Sequence, residues 1–115
     1  MSKYSKYVPQ GVIPAVLMPF KSDLSMDTGA YQAHLRDLAG VAGVTALTIN
    51  GHAAEVHALS FDEQQQAVDL TMDTVGDSIP VICGVYAEST WNATKLARMA
   101  KARGAACLLA FPQMC

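Results

Sequence analysis

Short, nearly continuous apolar runs alternate along this sequence with longer amphipathic segments. Four runs have the length and apolar character of strands, and they cover residues 12–18, 44–50, 80–85 and 107–111. Such alternation is typical of consecutive βα units, in which parallel strands lie buried beneath helices. The pattern therefore predicts an α/β fold with about four parallel strands and three helices.

Each predicted helix has a recognisable start or end. The apolar positions of the first recur at helical spacing before a predicted stop at Gly43, and they are Tyr31, Leu35, Leu38 and Ala42. The second begins with a capping box, in which Ser60 and Glu63 satisfy unpaired amide groups, so Glu63 is interpreted as a capping residue. The third begins near Ser89 or Thr90 and ends at Gly104, and its predicted buried positions are Ala93, Leu96, Ala97 and Ala100.

Composition narrows the class of protein. A chain of 115 residues that is 51% apolar and 16% charged can form one domain with its own core. The net charge of -2, with both signs interspersed, favours neither nucleic acid nor a membrane surface as a partner. The polar N-terminus lacks the apolar core of a signal peptide, which predicts a cytoplasmic protein.

The three cysteines do not suggest a disulfide framework or a zinc site, because they form neither an even set nor a CxxC pair. Cys83 and Cys107 fall inside apolar runs and are predicted to be core thiols. His52, Glu55 and His57 lack the spacing of a helical zinc motif, so we interpret them as ordinary turn residues. His34 is predicted to be packed or half-exposed. No metal or cofactor is predicted.

Two architectures fit consecutive βα units: a segment of a (β/α)8 barrel or an open doubly wound sheet. The chain after the first run reads Pro19-Phe20-Lys21-Ser22-Asp23, which lacks a glycine-rich phosphate motif and so weakens the nucleotide-binding alternative. Polar residues cluster instead after the second run, at the end where a barrel carries its active site.

Several stretches resemble the dihydrodipicolinate synthase and N-acetylneuraminate lyase family. In order and with compatible spacing they are GVIPAVLMPF at residues 11–20, GVTAL at 43–47, LSFDE at 59–63, IPVICGV at 79–85 and LLAFP at 108–112. The resemblance implies the N-terminal part of a (β/α)8 barrel, with a polar segment at residues 1–10 and a partial barrel over residues 11–115.

The resemblance also implies an activity. Family members are class I aldolases that form a Schiff base between a lysine and pyruvate or a related 2-oxo acid. Their turn after the second strand, typically G-[TS]-[TS]-G-E, presents hydroxyl and amide groups to the substrate carboxylate. The equivalent turn here is Gly51-His52-Ala53-Ala54-Glu55, so the first glycine and the glutamate match while both hydroxyls are replaced.

The substrate-binding candidates are therefore Gly51, His52, Ala53, Ala54 and Glu55. Backbone amides near Ala53 and Ala54 are expected to hold the carboxylate, with His52 as a replacement donor or proton carrier. Tyr86, directly after the third run, is a further candidate ligand contact.

The resemblance places the Schiff-base lysine on a later strand, in a C-terminal half that this chain lacks. Lys95 and Lys101 fall on the third predicted helix and are interpreted as solvent-exposed. Pro112-Gln113-Met114 replaces the family's tyrosine-bearing segment. The family also implies a homo-oligomer. An alternative is a noncatalytic barrel fragment that serves as an assembly or interaction module, because unpaired strand edges tend to bind other chains.

Overall fold

The computed structural model describes residues 3–112, and within them the predicted α/β fold with three helices and a parallel sheet is confirmed. In chain order the elements are α1 (Thr28–Ala39), β1 (Leu47–Ile49), α2 (Phe61–Val75), β2 (Val81–Val85), α3 (Thr90–Ala102) and β3 (Cys107–Ala110). Two short 3-10 turns, His52–Ala54 and Val56–Ala58, lie between β1 and α2.

The sheet has the order β1-β2-β3, and both pairings are parallel. Leu47 lies opposite Val81, and Ile82 lies opposite Cys107. Because each pair of neighbouring strands is joined through a helix, the three strands all end at the same edge of the sheet. Side chains that follow the strands are thereby brought together.

The first predicted strand is only partly right. Residues 12–16 run parallel to β1 but form isolated bridges, Val12 to Val44 and Ala15 to Thr48. Within this segment the Val16 amide donates to the Thr48 carbonyl, and the Pro14 carbonyl accepts from the Thr48 amide. Pro14 has no N–H to donate towards β1, which interrupts the ladder. We call residues 12–16 the first-strand segment.

The helix starts follow the sequence closely. Ser60 and Glu63 form the predicted capping box, and the Ser89 hydroxyl accepts from the Asn92 amide. The predicted end of α1 was wrong by several residues, because the helix ends at Ala39 and is capped by Gly40. Gly43, with a φ of 93°, instead turns the chain towards β1.

The core lies between the sheet and the three helices. All five residues of β2 are buried, and α1 and α2 meet where the Tyr31 and Thr71 hydroxyls share a hydrogen bond of 2.9 Å. Cys83 is a buried thiol, as predicted. The core assignment of Cys107 was wrong, since this residue is only half-buried on β3, which has no neighbouring strand on its outer side within residues 3–112.

The ends of the described region add two observations. Near the N-terminus, the Lys3 amine donates to the Asp77 carbonyl at 2.7 Å, which holds the polar segment against the loop after α2. Gln113 and Met114, predicted to replace the family's tyrosine segment, lie outside the described residues. Within residues 3–112, no helix has both the length and the apolar character needed to span a bilayer.

Candidate functional site

The turn after β1 is held by hydrogen bonds that close back on Gly51. The amides of Ala54 and Val56 both donate to the Gly51 carbonyl, and the Glu55 amide donates to the His52 carbonyl. Glu55 adopts a left-handed conformation with a φ of 56°, which links the two 3-10 turns. These internal bonds occupy the amide of Ala54.

The amides of His52 and Ala53 donate no hydrogen bond to any part of residues 3–112. Both residues are exposed, whereas Gly51 and Ala54 are buried. A carboxylate bound at this turn would therefore meet the amides of His52 and Ala53, and not the Ala54 amide that the sequence suggested.

A close approach to β2 fixes where the turn lies. A side chain at Gly84 would overlap the backbone of Asn50 and come within 3.2 Å of the Gly51 α-carbon. Because Gly84 has no Cβ, the backbone of Asn50 and Gly51 can pack directly against β2. Gly51 itself is less restricted, since an added Cβ would make an ordinary contact at 3.8 Å with the Phe111 ring.

Three aromatic side chains meet where the strands end, and we call them the mouth cluster: His52, Tyr86 and Phe111. The His52 ring stacks on Phe111 with centroids 4.2 Å apart. Tyr86 meets His52 edge-to-face at 5.6 Å and Phe111 at 6.4 Å. Each strand contributes one member, because His52 follows β1, Tyr86 follows β2 and Phe111 follows β3. The cluster thus brings together two sequence-predicted site residues.

The Tyr86 hydroxyl is hydrogen-bonded to its neighbour Glu88. Its hydroxyl donates to a Glu88 carboxylate oxygen at 3.2 Å. That hydrogen bond, followed by the negative charge of Glu88, raises the pKa of Tyr86. A tyrosine is already a hydroxyl group at neutral pH, and the contact with Glu88 strengthens this preference.

Ala53 and Glu55 border a second space beside the turn. They line a pocket of about 380 Å³ together with His34 and the loop residues Leu17 to Pro19. The half-buried His34 accepts a hydrogen bond at Nε2 from the Leu17 amide at 3.1 Å. The structure therefore separates Glu55 from the mouth cluster.

A further pocket of about 240 Å³ adjoins Tyr86 and lies between α2 and α3. Asn92 lines it, whereas its neighbour Trp91 is one of the most exposed apolar side chains in the described region. The Lys95 amine lies 4.1 Å from the centre of the Phe61 ring, a cation–π contact at the surface. This position agrees with the predicted exposure of Lys95.

Two residues that position the site were missed by sequence analysis. Phe111 was assigned only to a strand, although an aromatic residue at the end of a parallel strand is a signal for the active-site edge. Asn50 is fully buried with a φ of 54°, and its amide nitrogen donates to the Gln64 carbonyl at 3.2 Å. An asparagine after a strand is a signal for this left-handed conformation.

His57, the third member of the metal set that the sequence disfavoured, is exposed on the second 3-10 turn. Across residues 3–112, no group of three histidine, cysteine, aspartate or glutamate side chains is arranged to hold a metal ion.

Comparison with known sequences identifies the family. Residues 8–112 match the sequence model of the dihydrodipicolinate synthetase family. The 4-hydroxy-tetrahydrodipicolinate synthase of Methanospirillum hungatei is 34% identical over 98 residues, which cover 84% of this chain and 33% of that protein. An uncharacterized DapA-like lyase of Halobacterium salinarum is 38% identical over 97 residues, covering 83% and 31%. The chain thus spans about one third of these relatives.

Solved structures agree. A putative dihydrodipicolinate synthetase from Pseudomonas aeruginosa superposes with a TM-score of 0.84 at 28% identity, covering 91% of this chain and 36% of that one. Dihydrodipicolinate synthase from Aquifex aeolicus gives 0.82 at 27% identity, covering 88% and 34%. These matches confirm the fold as the N-terminal portion of a (β/α)8 barrel. The chain therefore belongs to the dihydrodipicolinate synthetase family.

Proposed function

We propose that this chain is the carboxylate-binding portion of a Schiff-base-forming lyase or synthase acting on pyruvate or a related 2-oxo acid. The reaction forms or cleaves a carbon–carbon bond by aldol chemistry. The Schiff-base lysine would be supplied by the later strands of a complete barrel, which would follow residue 115. We further propose a cytoplasmic homo-oligomer, as the sequence suggests.

The observation that supports this proposal is the juxtaposition of the mouth cluster with two unoccupied backbone amides. A 2-oxo acid has a carboxylate next to a ketone and a small apolar remainder. The amides of His52 and Ala53 suit the carboxylate, because N–H groups in a turn bind an anion without a positive side chain. The adjacent rings of His52, Tyr86 and Phe111 provide an aromatic surface beside these amides for the small apolar remainder of the acid.

The chemistry assigns different roles to the two polar members of the cluster. Condensation of a lysine amine with the ketone releases water and gives an iminium, which stabilises the carbanion formed when a neighbouring C–H bond is broken. His52 is the candidate proton carrier, because imidazole exchanges protons near neutral pH. Tyr86 is the candidate hydrogen-bond donor, since its hydroxyl stays protonated beside Glu88.

Pyruvate binding to the 115-residue chain tests the carboxylate site. In a titration followed by NMR, pyruvate is expected to shift the amide signals of His52 and Ala53, whereas methyl pyruvate, which lacks the charge, leaves them in place. His52→Ala keeps the backbone amide and removes the imidazole, so it should weaken binding about ten-fold if the imidazole also donates a hydrogen bond to the carboxylate. His57→Ala is the matched control, because His57 is exposed on the neighbouring turn. Equal shifts with both ligands would contradict the site.

Borohydride trapping tests the chemistry separately. A polypeptide extended through four further strands, treated with pyruvate and borohydride, should gain a stable adduct on one lysine, detectable by peptide mass spectrometry. The 115-residue chain should gain none, because its lysines lie on the surface. A folded, extended protein that binds pyruvate without forming the adduct would retain the binding site and refute the Schiff-base mechanism.

A second candidate function is a noncatalytic assembly module. A specific observation favours it: β3 has no partner on its outer side within residues 3–112, and Leu108 and Leu109 on this strand are exposed. Exposed apolar edge strands are binding surfaces for other chains.

A further inference from the structure

One histidine ties the loop after the first-strand segment to α1. The Leu17 amide donates to Nε2 of His34, which lies on this helix, at 3.1 Å. Leu17 and Met18 form no other hydrogen bond within residues 3–112. Before and after them, the backbone is bonded to β1 and to the cap of α1. The position of the Leu17 backbone therefore depends on the His34 ring.

The hydrogen bond from Leu17 depends on the charge of the imidazole. A ring nitrogen that accepts a hydrogen bond carries no proton, whereas an imidazolium ion has an N–H at both positions and no acceptor. Histidine is also the side chain whose charge ordinarily changes between about pH 5 and 8. Uptake of a proton at Nε2 breaks the bond, because two N–H groups would then face each other. The contact is thus present at higher pH and is lost as the pH falls.

Glu55 offers the protonated ring a different partner. His34 and Glu55 line the same pocket of about 380 Å³, which Ala53 also borders. The Glu55 carboxylate is exposed, and it forms no hydrogen bond or ion pair with the rest of the described chain. A carboxylate near an imidazole favours the charged form of the ring. The Leu17 amide favours the uncharged form, so the two groups compete.

Few other charges surround His34. Glu55 is the only other titratable side chain that lines the pocket. From α2, which packs on α1, the hydrogen bonds to α1 come from Thr71 and Thr74, and neither residue titrates in this range. The titratable residues of α1 within one turn of His34 are the buried Tyr31 and the exposed Arg36 and Asp37. Glu55 is thus the charged group that shares the pocket with the ring.

We propose that His34 is a positioning residue that exchanges partners with pH. The uncharged ring binds the Leu17 amide and holds the loop against α1. The protonated ring releases Leu17 and donates to the Glu55 carboxylate, which changes the shape and charge of the pocket beside the turn. The exchange requires no 2-oxo acid, so its failure and the failure of the proposed function can be distinguished.

Hydrogen exchange followed by NMR tests the release of Leu17. Between about pH 8 and 5, the protection factor of the Leu17 amide should fall at least about ten-fold, in step with the ring nitrogen signals of His34. The Val16 amide is the internal control, because it donates to the Thr48 carbonyl, which does not titrate. Equal changes at the two amides, or a Leu17 amide that does not follow the ring, would overturn the proposal.

Substitutions at His34 separate its protonation from its packing. His34→Gln keeps an acceptor that stays uncharged, so the Leu17 amide should remain protected at every pH. His34→Ala removes the acceptor, so the amide should be weakly protected throughout. His57→Gln is the matched control and should keep the original pH profile, because His57 is exposed on the second 3-10 turn. If His34→Gln also kept that profile, the ring would have no part in it.

The role of Glu55 is tested by removing its charge. In Glu55→Gln the imidazolium ion loses its partner, so the midpoint of the Leu17 transition should move to lower pH. Asp37→Asn is the matched control, because it removes one negative charge from an exposed position of α1 outside the pocket. Circular dichroism checks that both variants are folded. An equal displacement in the two variants would rule out the exchange with Glu55.

Discussion

The centre and the edge of the sheet use similar sequences in different environments. β2 reads VICGV and is buried at every position, whereas β3 reads CLLA and is half-buried at Cys107 and exposed at the other three residues. Both are short apolar strands of the kind found in parallel sheets. The local sequence thus determines that a segment forms a strand, whereas the burial of that strand depends on the elements that pack against it.

The largest expected effect is at the centre. Gly84→Ala introduces a Cβ that overlaps the Asn50 backbone, which cannot move as a flexible side chain would. We expect a loss of about 3 kcal/mol or more in the free energy of unfolding, measured with denaturant. Gly51→Ala is the control, because its new Cβ makes an ordinary contact and should cost less than about 1 kcal/mol. Equal costs would show that the close approach is relaxed in solution.

The same truncation at two positions sharpens the comparison. Leu47→Ala removes a side chain that is 0% exposed beside β2, and the cavity should cost about 2 to 5 kcal/mol. Leu109→Ala on the edge should cost less than about 1 kcal/mol when measured at concentrations where the chain is monomeric. Urea unfolding gives both values. A large cost at Leu109 in the monomer would show that the edge is already covered.

Cys83 at the centre of the sheet and Cys107 at its edge should affect stability differently at alkaline pH. Burial raises the pKa of the Cys83 thiol from its ordinary value of 9.0 to about 12, so the folded state retains a proton that the unfolded state loses. Titration of this thiol therefore leaves the free energy of unfolding unchanged below about pH 9. The free energy of unfolding should then decline as the pH rises towards 12. Tyr31, with a pKa raised by burial to about 12, adds to the decline above about pH 10.

Denaturant unfolding as a function of pH measures this decline. Cys83→Ala should flatten the decline between about pH 9 and 12, while Cys107→Ala, at the edge, should leave most of it. A profile that Cys83→Ala does not alter would mean that the thiol is solvated in the folded protein.

The last prediction concerns chemical labelling of the cysteines and needs no substitution. Under native conditions iodoacetamide should modify Cys107 at least about ten-fold faster than Cys83, because thiol reactivity requires access and a thiolate. Peptide mass spectrometry resolves the two sites and follows Cys115 separately. In denaturant the two rates should converge. Equal native rates would remove the distinction between centre and edge.

Local signals predicted much of this fold. The Ser60–Glu63 capping box and the Ser89 cap are short-range patterns, and both helices begin where these patterns place them. The end of α1 was misplaced because the apolar spacing continues past Gly40 to Ala42, and the sequence does not state whether Gly40 or Gly43 ends the helix.

The site was less accessible to sequence analysis, because its arrangement depends on contacts between distant residues. The predicted turn contains His52, but the stacking partner Phe111 lies 59 positions further along the chain, and the position of the turn depends on the close approach of Gly84 to Asn50. The Ala54 amide was a reasonable anion donor until the fold showed it bonded to Gly51. The site roles themselves remain predictions.

The position of Phe111 has a consequence for motion. One wall of the mouth cluster is carried by the least buried strand, so local opening of β3 would disperse the cluster while β1 and β2 stay folded. Edge segments with few buried contacts open at lower free energy than the core. We expect the amides of β3 to exchange hydrogen faster than those of β2, so that the mouth cluster disperses before the centre of the sheet opens.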